Sequence, residues 1–145
     1  FLTKQSSMKK REPVKKIMTE NVLSVKEEES LQNVVALFRK NKFRHLPVTK
    51  GNEISGIISS TDINRLSFGA LFENQDGADE AILEMLSVPQ VMSGNPEVID
   101  VETPIREVAE IFASKGFHAL PVVEDGKLKG IVTTTDVIKY MLEQY

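Results

Sequence analysis

Residues 14–65 and 88–139 carry one pattern written twice. Each position in the first segment aligns with the residue 74 places later, with no gap across 52 positions. Fourteen of those positions are identical: Val14, Met18, Asn21, Glu28, Val34, Phe38, Phe43, Leu46, Pro47, Val48, Gly56, Ile57, Thr61 and Asp62 all recur at that offset. At average residue usage about three would coincide by chance. A duplication constrains a fold severely, because both copies must form the same unit and each is too short for a comfortable core of its own. The expected solution is two units packed sheet to sheet about a pseudo-two-fold axis.

Within each copy the hydrophobic spacing changes period in the same order. Val22–Val25 and Val98–Val101 read as short strands. Helices are then expected from Ser30 and from Thr103-Pro104, a capping hydroxyl with Pro at the first helical position. Leu31, Val34, Val35 and Phe38 recur at helical spacing, as do Ile105, Val108, Ala109 and Phe112, and Gly116 suits a left-handed helix end. Hairpins follow around Lys50-Gly51-Asn52 and Glu124-Asp125-Gly126. Pro47 and Pro121, which cannot donate to a ladder, should open a strand or lie on an edge. A second helix is expected from about Thr61 and Thr135, and Phe43 and Phe117 are read as core. The unit is therefore β-α-β-β-α, an α/β (α+β) class. Domain limits are read as an N-terminal extension or added remnant over 1–12, repeats over 13–68 and 87–145, and a connector over 69–86. In that connector Ser67–Gly77 is a polar link, and Asp79–Leu86 an amphipathic helix.

Composition removes several classes of function. With no Cys there is no disulfide, thiolate zinc site, iron–sulfur cluster or cysteine nucleophile. A net charge of −3 disfavours a general nucleic-acid or anionic-membrane binder. No apolar run approaches the roughly 18 residues of a membrane span, and no signal-peptide pattern is seen, so a cytoplasmic location is expected.

The recurrent polar signature is Gly56-Ile57-Ile58-Ser59-Ser60-Thr61-Asp62, matched by Gly130-Ile131-Val132-Thr133-Thr134-Thr135-Asp136. A strand ends in three hydroxyls and a carboxylate just before a helix. One reading is capping, with the acid three residues after the hydroxyl. The other is a ligand site, because a helix N-terminus with hydroxyls attracts phosphate and a neighbouring carboxylate can accept from a ribose diol. The two are compatible. Arg44, His45, Lys115 and His118 lie just before the hairpins, as phosphate partners or as ordinary strand-edge residues. Neither metal-ligand spacing nor a catalytic motif is evident.

Taken together, the duplicated β-α-β-β-α units, each with an apolar-Pro-Val hairpin followed by Gly-Ile-Ile/Val-Ser/Thr-x-x-Asp, resemble a CBS-domain pair, or Bateman module, from Val14 to Tyr145. The resemblance implies a non-enzymatic module that binds an adenosyl ligand (AMP, ADP, ATP or S-adenosylmethionine) in two clefts between paired sheets. It implies that Asp62 and Asp136 hold ribose, and that Ser59 and Thr133, with Thr61 and Thr135 nearby, contact ribose or phosphate. Ile57, Ile58, Ile131 and Val132 would line the adenine pocket. The backbone around Val22, Leu23, Ser24 and Glu97–Ile99, Val98 included, would face the adenine edge. Arg44, His45 and His118 would reach phosphates, although Ala119 replaces His45 in the second copy and makes the surroundings unequal. No cofactor is required, and the nucleotide would bind with or without magnesium. The resemblance further implies a homodimer that regulates a partner or an attached domain, with no membrane partner and nucleic acid disfavoured. The alternative is a dimerisation or protein-interaction module without a ligand.

Overall fold

The computed structural model describes residues 11–20, 22–73 and 76–145, and of these the side chains between 67 and 80 are not described. Of the expected extension over 1–12, the part up to residue 10 lies outside the described residues. The chain divides into two compact units, one formed by Leu23–Pro96 and the other by Phe1–Val22 with Glu97–Tyr145. Both are mixed α+β, as the alternating periods require.

In the Leu23–Pro96 unit, β1 (Val25–Lys26) precedes α1 (Leu31–Lys40), and β2 (His45–Lys50) and β3 (Glu53–Ser59) form the hairpin. Helices α2 (Ser60–Glu73), α3 (Asp76–Met85) and α4 (Val88–Val91) lead to β4 (Ser93–Gly94). Strand β2 pairs in parallel with β1 and antiparallel with β3, whose Gly56 and Ile57 face Gly94 and Ser93 of β4. Leu31, Val34 and Val35 turn the apolar stripe of α1 onto Leu46, Val48 and Ile58 of the hairpin, with Val25, Ile63 and Val88 completing the core. Ser30 caps α1 as expected, its Oγ accepting from the Asn33 N–H at 3.2 Å.

The second unit repeats this plan. It contains β5 (Ile99–Asp100), α5 (Ile105–Lys115), β6 (Ala119–Glu124), β7 (Lys127–Thr133) and α6 (Thr134–Glu143). The β6–β7 hairpin turns through Asp125 and Gly126 at φ +53° and +80°, the pair of positive φ angles that a tight two-residue hairpin needs. Gly116 ends α5 in the left-handed conformation, φ +72°, as its position suggested. The core gathers Val14, Ile99, Val101, Val108, Phe112, Leu120, Val122, Val132 and Val137.

Several local expectations are revised. The early strands reduce to Val25–Lys26 and Ile99–Asp100, because β2 and β6 offer parallel partners only from Val48 and Val122 onward. That register also explains the prolines. Pro47 and Pro121 sit inside β2 and β6 rather than at their starts, but one residue before the parallel ladder begins, where a missing N–H costs nothing. Pro104 is the N-cap of α5 itself, with φ −61° and ψ 141°, and the Thr103 hydroxyl instead accepts from the Asp100 N–H at 3.1 Å. The polar link expected over Ser67–Gly77 is largely helical, since α2 runs to Glu73 and α3 begins at Asp76. A helix already nucleated by a strong cap, with Ala70 and Leu71 ahead, absorbs the roughly 1 kcal/mol penalty of Gly69. Phe43 stacks on Phe38 with ring centroids 5.0 Å apart, whereas Phe117 is 39% exposed and is not core.

Each unit borrows its last piece from outside its own copy. Val14 is fully buried among second-copy residues, and Val88 among first-copy residues. The Val14 N–H donates to the Thr103 carbonyl at 2.8 Å, and Thr19 and Ile131 exchange both main-chain hydrogen bonds, at 2.8 and 3.1 Å. The lead segment of each copy thus closes the core of the other.

Candidate functional site

The duplicated polar signature folds into two matching strand-to-helix corners. At the start of α2 the Ser59 Oγ accepts from the Asp62 N–H at 3.1 Å, while the Ser59 N–H donates to Asp62 Oδ2 at 2.9 Å. At the start of α6 Thr133 and Asp136 make the same two bonds at 3.1 and 2.9 Å. These reciprocal bonds satisfy helix-end donors that the chain itself could not. They also fix each carboxylate against the positive end of a helix.

The residue before each hairpin is tied to the same corner. The Arg44 carbonyl accepts from the Ser60 N–H at 2.8 Å, and the His118 carbonyl accepts from the Thr134 N–H at 3.1 Å. Arg44 and His118 are exposed, and the carbonyl of each meets the residue one past the corner's cap. His45 is half-buried and pairs with Ser59 across the hairpin; Ala119 pairs with Thr133 in the other unit. The corners differ in one ion pair, for Arg65 approaches Asp62 Oδ1 at 3.7 Å.

The other expected site residues separate by strand face. Ile57 is half-buried, but Ile58 and Val132 are fully buried members of the two cores and present only main chain to the outer face. Ile131 is nearly buried and held by Thr19. Thr61 and Thr135 are exposed on the first turns of their helices. Val22 and Ser24 are half-buried and Leu23 and Val98 exposed; all four precede β1 or β5 and lie outside any ladder. Their main-chain groups therefore stand clear of strand pairing, as a ligand edge would require.

One cation is diverted. Lys115 pairs with Glu97 at 2.7 Å, so it serves the fold of its own unit. Spacing could not reveal this, because Glu97 replaces Leu23 of the first copy and the partners lie 18 residues apart. The Met18 and Met92 segments were also illegible as partners of Gly130 and Gly56, since each methionine meets the glycine of the opposite copy. An open recess of about 420 Å³ lined by Lys15, Met18, Glu20, Val101, Glu124 and Lys129 contains none of the expected ligand residues. Among the described residues no cluster of His, Asp and Glu could hold a metal ion. No described helix is long and apolar enough to cross a membrane.

Comparison with known proteins follows the duplicated sequence. The family model for the CBS domain matches residues 14–69 and again 88–143. The Methanocaldococcus jannaschii protein MJ1225 is 30% identical over 125 residues, covering 85% of this chain and 45% of its own length. Its crystal structure, described as that of a proposed archaeal homologue of γ-AMPK, superposes with a TM-score of 0.77 at 29% identity, over 97% of this chain and 51% of that one. The crystal structure of CBSX2 in complex with AMP superposes with a TM-score of 0.75 at 27% identity, over 91% of this chain and 97% of that one. This chain spans less than half the length of the first curated relatives, 45% of MJ1225 and 34% of a second Methanocaldococcus jannaschii protein.

Proposed function

This chain belongs to the CBS-domain family, and from that premise we propose that it is a regulatory module that binds an adenosyl ligand and reports its level to a partner or attached domain. The observation that carries the reading is the pair of matching corners. Asp62 and Asp136 are each held by their caps through Oδ2 at 2.9 Å beside a helix N-terminus, with the exposed Arg65 guanidinium 3.7 Å from Asp62 Oδ1, and each carboxylate is placed to accept from a ribose diol. Arg44, His45 and His118 supply the cationic side for phosphate, and the main chain around Val22–Ser24 and Val98 the adenine edge. The AMP bound by CBSX2 supports an adenine ligand, which would bind with or without magnesium. The module is non-enzymatic and acts in the cytoplasm. Ligand would act by binding one arrangement of the repeats better than another.

The test is calorimetry with AMP, ADP, ATP and S-adenosylmethionine on the wild type and on the double variant Asp62→Asn and Asp136→Asn. Asn keeps an oxygen to accept the cap bond, so the melting temperature should hold. Affinity should fall about tenfold or more, the value of a hydrogen bond to a charged group. Absence of binding by all four ligands in the wild type would sink the reading.

A second reading draws on the outer face of α6. Ile138, Met141 and Leu142 recur at helical spacing and are 56%, 50% and 65% exposed. Such a stripe suits a homodimer or a protein partner. If interaction is the whole function, the double Asn variant retains its full partner binding.

A further inference from the structure

The last turn of α1 and the loop that joins it to β2 concentrate positive charge. Arg39, Lys40, Lys42 and Arg44 place four cations within six residues of a chain whose net charge is −3. All four are exposed, and among the described residues none is in an ion pair. Arg39 and Lys40 lie in the last turn of α1, where they complement its C-terminal dipole, whereas Lys42 and Arg44 lie beyond the helix. Here Asn41 already closes α1, its N–H and its Nδ2 both donating to the Leu37 carbonyl at 3.0 and 2.9 Å.

The loop is also held in place rather than loose. Phe43 stacks on Phe38 between Lys42 and Arg44, and the Arg44 carbonyl is bonded to the Ser60 N–H at the start of α2. That bond sets Arg44 beside the positive end of a 14-residue helix. A cation there is repelled by the dipole, and closely spaced cations repel one another, so an anion that binds here relieves that repulsion. The second copy has no such surplus. Ala113, Ser114, Gly116 and His118 stand at the four equivalent positions, and its one cation, Lys115, is paired with Glu97.

We propose that the segment from Arg39 to Arg44 is a polyphosphate-binding surface, extending the anion site at Arg44 beyond one phosphate. The nucleotide's identity rests on the adenosyl reading above, while the loop's preference for several linked phosphates follows from its own charge. The first copy thus favours a di- or triphosphate tail, and the second offers cations for no more than one phosphate. Aromatic side chains, the main stacking platforms for bases, are absent from the segment's exposed positions, which favours a phosphate tail over single-stranded nucleic acid.

The test compares the wild type with the double variant Lys40→Ala and Lys42→Ala, with melting temperature as the check on folding. AMP, magnesium-free ATP and sodium tripolyphosphate are titrated by calorimetry, and a labelled oligothymidylate by fluorescence anisotropy. ATP affinity should fall about tenfold more than AMP affinity, as expected for two exposed charge contacts, and tripolyphosphate binding should fall with it. Equal losses for AMP and ATP, or tripolyphosphate binding untouched by the substitutions, would overturn the proposal. So would oligothymidylate binding that is tighter than ATP binding and lost in the variant, which would assign the loop to nucleic acid. If the wild type binds no adenosyl ligand yet takes tripolyphosphate in a lysine-dependent way, the adenosyl reading fails and the loop's assignment stands.

Discussion

Gly130 has no room for a methyl group. A Cβ there would lie 2.7 Å from the Thr19 carbonyl oxygen and 2.8 Å from Met18 Sδ. The three atoms nearest a Cβ at Gly56 all belong to the flexible side chain of Met92. The two glycines occupy equivalent positions in the repeat, yet their tolerances differ, because a thioether can swing aside and a ladder carbonyl cannot. We expect Gly130→Ala to destabilise by about 1–3 kcal/mol and Gly56→Ala by less. Adding Met92→Ala should relieve the Gly56 variant, whereas Met18→Ala should leave most of the Gly130 penalty in place. Chemical denaturation of the four variants checks this, and equal penalties at the two glycines would refute it. Asp62 and Asp136 illustrate the complementary case at the same scale: their capping role was legible from a three-residue spacing, because such bonds are local.

Helix α6 joins local signals to distant ones. Its start follows from the Thr133–Asp136 box, but its middle is anchored by Tyr140, whose hydroxyl donates to Glu12 Oε2 at 2.6 Å across 128 residues of sequence. Glu12 also pairs with Lys16 at 3.0 Å, and its carbonyl accepts from the Ile105 N–H at 2.8 Å. Burial first, and then the bond to Glu12, push the Tyr140 phenol up to about 12. A folded-state value above the ordinary one near 10 means that the fold favours the neutral phenol. Its stabilising contribution is therefore complete below pH 10 and is lost as pH rises toward 12. The melting temperature of the wild type should consequently fall more steeply between pH 10 and 12 than that of Tyr140→Phe. Parallel curves would show that the bond contributes nothing. Other elements were shifted by context alone: β1 and β5 shortened to the reach of their parallel partners, and α2 ran through the expected link.

For the whole molecule, the duplicated sequence does not coincide with the compact units. A fragment cut at the copy boundary, residues 14–69, carries Val14 without its core and lacks Val88, which is fully buried in the core it would need. A fragment of residues 23–96 contains every member of that core. Circular dichroism melts should show cooperative unfolding for 23–96 and little or none for 14–69. The reverse order would contradict the exchanged lead segments. Charge is likewise distributed unequally between equivalent segments, with Arg39, Lys40, Lys42 and Arg44 of the first copy in no ion pair among the described residues and the second copy pairing its single lysine there, Lys115, with Glu97.

The sequence by itself determined the repeat, the β-α-β-β-α order, the hairpins and the two capped corners. All of these rest on spacings of two to four residues or on the 74-residue offset, and such signals survive in one dimension. Tertiary structure alone decided that Ile58 and Val132 face the cores, that Lys115 belongs to Glu97, and that Met18 and Met92 cross to the opposite copy's glycines. Each depends on which distant surface fills a space or meets a charge, and close packing settles that only when the whole chain is in place.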